Sequence, residues 1–280
     1  MTIIFPGQGS QYVGMGRELF AQFPAETAQA SVILGYDLAL LCAEDLNGKL
    51  GQTQFTQPAL FVVSALSYLA RGAPAAKFFA GHSLGEFTAL WAAGAFDFDT
   101  GVRIVQKRGA LMARVGSGGM AAVIGLAPGA VKRCIKDIAL DVANYNSYEQ
   151  TVISGLKSEI AASIGLLTAA GARHVIELNV SAPFHSRYMR EIEAEFAHFL
   201  GTLTFTTPHT PVIANATALP YRADELHTTL LSQISSCVRW IESIEYLLRR
   251  GECDFIELGP GNVLTRLVQN IRECTAFANG

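Results

Sequence analysis

The segment Gly81-His82-Ser83-Leu84-Gly85 constrains the fold of this chain more than any other feature of the sequence. It follows a short apolar run, residues 78–80, that predicts a strand, and it precedes residues 86–93, which predict a helix. Glycine at both ends of such a segment permits a sharp strand-to-helix turn that lifts the serine hydroxyl clear of the backbone. We therefore expect an α/β fold in which Ser83 is a candidate nucleophile.

The same turn would bring the N-terminus of a helix close to Ser83. Amide hydrogens at a helix N-terminus stabilise developing negative charge, and the backbone amide of Leu84 is the natural donor. A Gly-x-Ser-x-Gly segment can also be a tight turn without a catalytic role. The strand predicted before it and the helix predicted after it favour the nucleophile.

Apolar runs of strand length alternate with amphipathic stretches along the chain, which is typical of α/β proteins. The middle of the chain instead predicts elements in the order βαββαβ: strand 120–126, helix 128–136, strands 141–144 and 151–154, helix 159–170 and strand 174–180. That order is typical of a ferredoxin-like α+β unit. We predict a small ferredoxin-like subdomain, residues 118–186, inserted into a large α/β domain with a parallel sheet, residues 1–117 and 187–280.

The composition argues against several classes of protein. The formal charge is −3, with acidic and basic residues interspersed, so we expect no nucleic-acid partner. No apolar run approaches the ~18 residues of a membrane span, and no basic residue precedes Arg17, so we expect neither a membrane segment nor a signal peptide. None of the five cysteines belongs to a Cys-x-x-Cys pair, which favours free thiols in a reducing cytoplasm over disulfides or a zinc site.

A second glycine-rich loop, Gly7-Gln8-Gly9-Ser10-Gln11, follows a strand predicted for residues 2–5. A dinucleotide-binding Gly-x-Gly-x-x-Gly pattern would need glycine where Tyr12 stands, and a P-loop would need a lysine that is absent. Both phosphate-binding interpretations therefore fail. The loop is either a tight strand-to-helix connection or one whose amides line the serine site.

A helix predicted for residues 100–115, capped by Asp99 or Thr100, places Arg108 in the centre of an apolar face. A buried guanidinium without a partner is costly, so Arg108 needs one. The partner is either a structural carboxylate or a carboxylate of a substrate, which the planar fork of arginine binds through two hydrogen bonds. Gln233 lies on a similar apolar stripe, where the pattern favours a satisfied core amide.

A serine nucleophile needs a base, and six histidines are candidates. His82 adjoins Ser83, but neighbouring side chains diverge. His185 lies in a loop, residues 181–186, at the exit of the small subdomain, and loops at such junctions often carry function. The residues alone do not choose among the six.

Taken in order, these motifs resemble those of the malonyl-CoA:acyl-carrier-protein transacylases and the acyltransferase domains of polyketide synthases. The resemblance covers essentially the whole chain. The motifs that carry it are Phe5-Pro6-Gly7-Gln8-Gly9-Ser10-Gln11, Gln57-Pro58-Ala59, Gly81-His82-Ser83-Leu84-Gly85-Glu86, Gln106-Lys107-Arg108-Gly109, Asn144-Tyr145-Asn146-Ser147, Pro183-Phe184-His185-Ser186 and Glu257-Leu258-Gly259-Pro260-Gly261.

The resemblance implies a hydrolase-like α/β domain with a ferredoxin-like insert, and a catalytic pair of residues. Ser83 would be the nucleophile and His185 the base. A backbone carbonyl at Gln233, rather than an acidic side chain, would orient the histidine.

The resemblance also assigns the substrate contacts. Arg108 would bind the free carboxylate of malonyl, and the backbone amides of Gln8 and Leu84 would form the oxyanion hole. Phe184 resembles the bulky residue of malonyl-selective members, whereas methylmalonyl-selective members have a smaller residue there.

The implied reaction is ping-pong transfer of malonyl from malonyl-CoA to the phosphopantetheine thiol of an acyl carrier protein, without cofactor or metal. We expect a monomer that acts in trans, because the chain contains no ketosynthase or carrier segment. Residues 52–60 resemble the polyketide group more than the fatty-acid group.

Two other functions stay open on the residues. A serine hydrolase of the thioesterase or lipase type would place its triad histidine near the C-terminus, but the last histidine is His227, and Arg108 would have no role. A non-catalytic module that docks carrier proteins would not need Ser83.

Overall fold

The structure is a computed structural model that describes residues 1–180 and 182–278. Ser181, the first residue of the loop that carries His185, lies outside the described residues. The strands are β1 Thr2–Phe5, β2 Phe78–Gly81, β3 Gly118–Ile124, β4 Leu140–Ser147, β5 Gln150–Leu156, β6 His174–Glu177, β7 Val212–Ile213 and β8 Phe255–Glu257. The α-helices are α1 Arg17–Gln22, α2 Pro24–Leu34, α3 Leu38–Glu44, α4 Thr53–Ala70, α5 Gly85–Ala92, α6 Phe98–Arg114, α7 Pro128–Cys134, α8 Lys157–Ala169, α9 Glu193–Leu200, α10 Leu226–Ser232, α11 Trp240–Arg249 and α12 Val263–Ala278.

The larger part of the molecule is built on a parallel sheet with the strand order β7-β2-β1-β8. Its inner strand β1 consists of Thr-Ile-Ile-Phe, and all four residues are buried. Such a nearly continuous apolar run is typical of a parallel strand that is covered on both faces. The predicted α/β class with a parallel sheet is confirmed.

A second sheet is antiparallel and has the strand order β4-β5-β3-β6. With α7 and α8 it follows the predicted order βαββαβ, which confirms the ferredoxin-like unit. The domain boundaries at 117/118 and 186/187 stay a prediction.

Strand β3 is buried on both faces, and this brings the second sheet to the large domain. Ala121 and Val123 pack into the core of the small unit, whereas Met120 and Ala122 pack into the main core of the molecule. Alternate residues of a strand point to opposite faces, so β3 joins the two cores. A backbone hydrogen bond from residue 238 to the carbonyl of residue 143, 2.8 Å long, also ties β4 to the large domain.

Some element boundaries differ from those predicted. The N-cap of α6 is Asp97, whose carboxylate accepts from the Thr100 amide at 2.8 Å, so the predicted caps Asp99 and Thr100 are wrong. The hairpin strands β4 and β5 are longer than the predicted 141–144 and 151–154. The prediction for β4 stopped too early because the residues at the end of this strand are polar, although they are buried.

The start of α12 is held by the carboxylate of Glu257. This carboxylate accepts from the first-turn amides of Leu264 at 3.1 Å and Thr265 at 2.8 Å. An anionic group at a helix N-terminus is favourable there. In the described part of the chain, no helix is long and apolar enough to cross a membrane.

Candidate active site

The turn between β2 and α5 holds Ser83 in a left-handed backbone conformation, with φ of 51°. A Cβ atom at Gly81 would lie 2.0 Å from the carbonyl carbon of Gly85, and one at Gly85 would lie 2.0 Å from the carbonyl oxygen of Phe5. Neither position can accept a side chain, because the neighbouring atoms are backbone. The two glycines therefore let the turn close tightly against β1.

His185 lies directly beside Ser83, with its Nε2 atom 2.6 Å from the serine Oγ. Its Nδ1 atom lies 3.0 Å from the carbonyl oxygen of Gln233 and 3.1 Å from that of Ser236. Carbonyl oxygens only accept, so Nδ1 carries the proton and Nε2 can accept one from Ser83. The second carbonyl, at Ser236, was not foreseen from the sequence.

The surroundings of His185 keep its ring neutral. Burial, followed by the charges of Arg108 and His82, lowers the pKa of His185 to about 3. A neutral imidazole next to a serine hydroxyl can act as a general base. Among the described residues, no carboxylate forms a hydrogen bond with this ring.

His82 points to other partners. Its Nε2 atom lies 2.8 Å from Oδ1 of Asn146, and its ring packs edge-on against Trp240. The expectation that its side chain diverges from that of Ser83 agrees with these contacts.

Arg108 on α6 is 1% exposed and contacts three polar side chains. Its Nη1 atom donates to Gln57 at 2.8 Å, and Nη2 donates to Gln233 at 2.9 Å and to Ser83 Oγ at 3.2 Å. The guanidinium also lies 5.2 Å from the centre of the Phe87 ring. Gln57 carried part of the resemblance but was not predicted as a contact of Arg108.

No carboxylate in the described residues lies within ion-pair distance of Arg108, and its buried Nε atom has no hydrogen-bond partner there. The direct structural ion pair that the sequence left open is therefore not found among them. Burial lowers the pKa of Arg108 to about 10, and the charge of Glu86 opposes that change. The guanidinium remains a cation at neutral pH.

A small cavity of about 90 Å³ opens at Ser83. Its lining includes all of the site residues expected from the sequence apart from Gln233, together with several apolar side chains. These residues are Gln8, Gln57, His82, Ser83, Leu84, Arg108, Met112, Met120, Asn144, Leu178, Val180, Phe184 and His185. Gln233 reaches the same place through its bonds to Arg108 and to the carbonyl of Ser83.

Gln8 and Leu84 line this cavity, and their backbone amides donate to no other described residue. Unpaired amides near a serine hydroxyl can stabilise the oxyanion of a tetrahedral intermediate. Phe184 is 5% exposed and limits the space beside them.

Asn215 also holds the serine turn, although no motif of the sequence indicated it. Its Oδ1 atom accepts from the Ser83 amide at 2.6 Å, and its Nδ2 atom donates to the Gly81 carbonyl at 2.7 Å. The residue follows β7, at the carboxyl end of a parallel strand, where functional side chains commonly lie. That position was the available signal.

A wider groove of about 740 Å³ meets the cavity at His185. Its charged lining consists of four exposed basic side chains and one acidic side chain: Lys132, Lys136, Arg187, Arg190 and Asp141. Asp141 is paired with Arg187 at 2.6 Å, which leaves an excess of positive charge. No group of three or more histidine, cysteine or acidic residues in the described ranges could hold a metal ion.

Comparisons with known proteins match nearly the whole chain. The acyl transferase domain model matches residues 2–275. The polyketide biosynthesis malonyl CoA-acyl carrier protein transacylase PksC of Bacillus subtilis is 48% identical, over 98% of this chain and 97% of that protein. The polyketide biosynthesis protein ThaF of Burkholderia thailandensis is 49% identical over the whole chain, which spans 25% of its length.

A solved structure gives the same result. The protein in the crystal structure of malonyl CoA-acyl carrier protein transacylase from Burkholderia pseudomallei is 45% identical in sequence to this chain. The two structures match with a TM-score of 0.93, and the match covers 97% of each chain. The chain therefore belongs to the acyl transferase domain family, among the malonyl CoA-acyl carrier protein transacylases.

Proposed function

We propose that this protein transfers malonyl from malonyl-CoA to the phosphopantetheine thiol of an acyl carrier protein. One observation carries the proposal: a neutral His185 contacts Ser83 beside a buried arginine that has no carboxylate partner among the described residues. The contact with His185 makes Ser83 a nucleophile, and the arginine can bind a carboxylate on the acyl group.

In the first half of the reaction, Nε2 of His185 takes the proton of Ser83 as Oγ attacks the thioester carbonyl. The amides of Gln8 and Leu84 receive the developing oxyanion. The carbon–sulfur bond then breaks, the leaving thiolate of CoA takes the proton from His185, and malonyl stays as an ester on Ser83.

In the second half, His185 takes the proton of the phosphopantetheine thiol, and the thiolate attacks the ester. The bond to Oγ breaks, and Oγ recovers the proton from His185. The result is malonyl on the carrier protein and a free Ser83, which completes a ping-pong cycle.

Arg108 would select the acyl group. The malonyl carboxylate would bind its guanidinium and take the place of the contact with Ser83 Oγ. Phe184 would reject groups with a substituent on the central carbon, because the cavity is only about 90 Å³. Together they would favour malonyl over acetyl and over methylmalonyl.

The basic groove would take the arm that both substrates share. Malonyl-CoA and the carrier protein each present pantetheine linked to phosphate, and the groove combines exposed lysine and arginine side chains with access to His185. Phosphate groups are well matched by such side chains.

We further propose a role in polyketide assembly, which the names of PksC and ThaF support.

We also propose that the protein acts in the cytoplasm, because its cysteines are free, as is usual in a reducing compartment. All the proposed catalytic groups come from one chain, so the proposed mechanism needs only a monomer.

Incubation of malonyl-CoA with and without a phosphopantetheinylated carrier protein tests the proposal against a serine hydrolase. We expect malonyl on the carrier, and little free malonate when the carrier is absent. Release of malonate at the same rate in both samples, with an uncharged carrier, would contradict it. A docking module would leave the carrier uncharged and release no malonate, and replacing Ser83 by alanine would change nothing measurable.

A further inference from the structure

The proposed mechanism leaves one fully buried carboxylate without a role. Glu86 on α5 is 0% exposed. Its Oε2 atom accepts from the Asn215 amide at 3.1 Å and from Nε2 of Gln233 at 3.0 Å, and its Oε1 atom accepts from the hydroxyl of Tyr221. Each of these partners donates, an arrangement that suits an ionised carboxylate rather than a protonated one.

The protonation of Glu86 depends on two opposing influences. Burial raises its pKa to about 7, while the donors and the charge of Arg108 oppose that rise. Burial and the charge of Glu86 raise the pKa of Tyr221 well above its ordinary value, so the phenol keeps its proton and stays a donor. At pH 8 the carboxylate is therefore the main form of Glu86.

Gln233 connects this carboxylate to the active site. Its Nε2 atom donates to Glu86 and, at 2.7 Å, to the carbonyl of Ser83, while its Oε1 atom accepts from Arg108 at 2.9 Å. A flipped amide would set its NH₂ group against the guanidinium and its oxygen against two acceptors. Glu86 therefore helps to fix the orientation in which Gln233 accepts from Arg108.

The arrangement also explains how a buried cation is tolerated. Arg108 and Glu86 are both buried, yet the amide of Gln233 separates them, so they form no direct ion pair. A buried charge without compensation is strongly unfavourable. A carboxylate placed one amide away compensates the guanidinium but does not occupy the donors that a substrate would use.

We propose that Glu86 is a positioning residue for acyl selectivity, which acts on Arg108 through the side-chain amide of Gln233. The inference rests on the proposed function, because it assigns Arg108 to the malonyl carboxylate. It predicts that replacing Glu86 lowers malonyl transfer far more than acetyl transfer, although Glu86 contacts neither acyl group.

The test compares Glu86→Gln with the parent protein at pH 8, using kcat/KM for malonyl-CoA and acetyl-CoA with one carrier protein. We expect malonyl transfer to fall about tenfold or more, mainly through KM, and the malonyl-to-acetyl ratio to fall with it. Glu195→Gln is the matched control, since Glu195 is a partly exposed partner of Lys107 and Arg114. It removes the same charge and should leave the ratio unchanged.

A double variant shows whether the effect passes through Arg108. In an Arg108→Ala background, adding Glu86→Gln should leave the ratio unchanged, because the residue on which Glu86 acts is gone. Two results would overturn the proposal. One is that adding Glu86→Gln to Arg108→Ala lowers the malonyl-to-acetyl ratio as much as Glu86→Gln alone does. The other is that Glu86→Gln alone lowers kcat/KM equally for both substrates.

A second variant covers the case in which Glu86→Gln does not fold, as a melting curve would reveal. Gln233→Met keeps both charges but removes the amide between them, and it should lower the ratio in the same way. An unchanged ratio in that variant would overturn the proposal. Failure of the parent protein to charge the carrier would instead contradict the proposed function.

Discussion

Ser83 and His185 share an unusual backbone conformation, with φ of 51° and 56°. Such angles are uncommon for residues other than glycine and cluster at functional sites. In each case the surrounding hydrogen bonds hold the residue in place: Asn215 holds the amide of Ser83, and two backbone carbonyls hold the ring of His185.

The pH dependence of acylation tests His185. Because burial lowers its pKa to about 3, the ring should stay neutral as the pH falls from about 8 to about 5. Acylation by acetyl-CoA, which has no carboxylate for Arg108, should then keep its kcat/KM across that range, while His185→Ala should be slower by ~10² or more. A kcat/KM that falls about tenfold per pH unit below an inflection near the ordinary histidine pKa, ~6.5, would contradict the lowered pKa of His185.

Arg108→Ala tests the acyl selectivity. With malonyl bound, the guanidinium and the malonyl carboxylate would form a buried charge pair, and removing one half of such a pair costs ~3–5 kcal/mol. At the lower end of that cost, malonyl transfer should lose roughly 10²–10³ in kcat/KM. Acetyl transfer should hold or rise, and Arg108→Lys should recover little, because an ammonium lacks the fork. Equal losses for both thioesters, with a lowered melting temperature, would show that Arg108 has only a structural role.

Single residues were predictable from the sequence where a local pattern, such as helical periodicity or a short motif, made them conspicuous. Arg108 stood out as a charge on an apolar helix face, and Ser83 stood out between two glycines. His185 could not be chosen among the histidines without the resemblance, because its contact with Ser83 spans 102 positions of the chain. The contacts of Asn215 and Glu86 were missed for the same reason.

At the scale of elements, apolar strands were predicted well and polar ones poorly. β1 has the predicted bounds because its side chains are buried and nearly all apolar. β4 was predicted too short because Asn146 and Ser147, beyond its predicted end, are buried polar residues near the junction of the two sheets. A strand that contributes to a site does not follow the simple apolar pattern.

Two glycine-to-alanine variants test the tight turn. Gly85→Ala would place a Cβ atom 2.0 Å from the Phe5 carbonyl oxygen, and we expect a loss of ~1–3 kcal/mol or more in the free energy of unfolding. Gly165→Ala in the exposed interior of α8 meets nothing within 4 Å and should instead stabilise by ~0.5–1 kcal/mol. Denaturant unfolding measures both, and similar effects at the two sites would contradict the turn geometry.

At the scale of the whole molecule, the order of the elements indicated the ferredoxin-like unit, but not how its sheet meets the large domain. That contact depends on β3 burying both faces and on the pairing of β4 with residue 238. Neither can be read from local periodicity. The junction is nevertheless what brings the groove to His185.

Charge reversal in the groove tests how the substrates enter. Lys132 and Arg190 line it and form no ion pair with another described residue, so a Lys132→Glu, Arg190→Glu variant should keep its melting temperature. Its KM for malonyl-CoA and for the carrier should rise about tenfold, because phosphates would meet negative charge. Malonyl-pantetheine, which has no phosphate, is the control. Equal changes for all three substrates would contradict the role of the groove.

The central claim is that Ser83 carries the acyl group, and mass spectrometry tests it most directly. The protein is mixed with malonyl-CoA in the absence of an acceptor, and the intact mass and the digested peptides are measured. We predict the addition of one malonyl group, on the peptide that contains Ser83, and no addition in Ser83→Ala. A malonyl group on Cys42, Cys134 or any other residue, or its persistence in Ser83→Ala, would contradict the account.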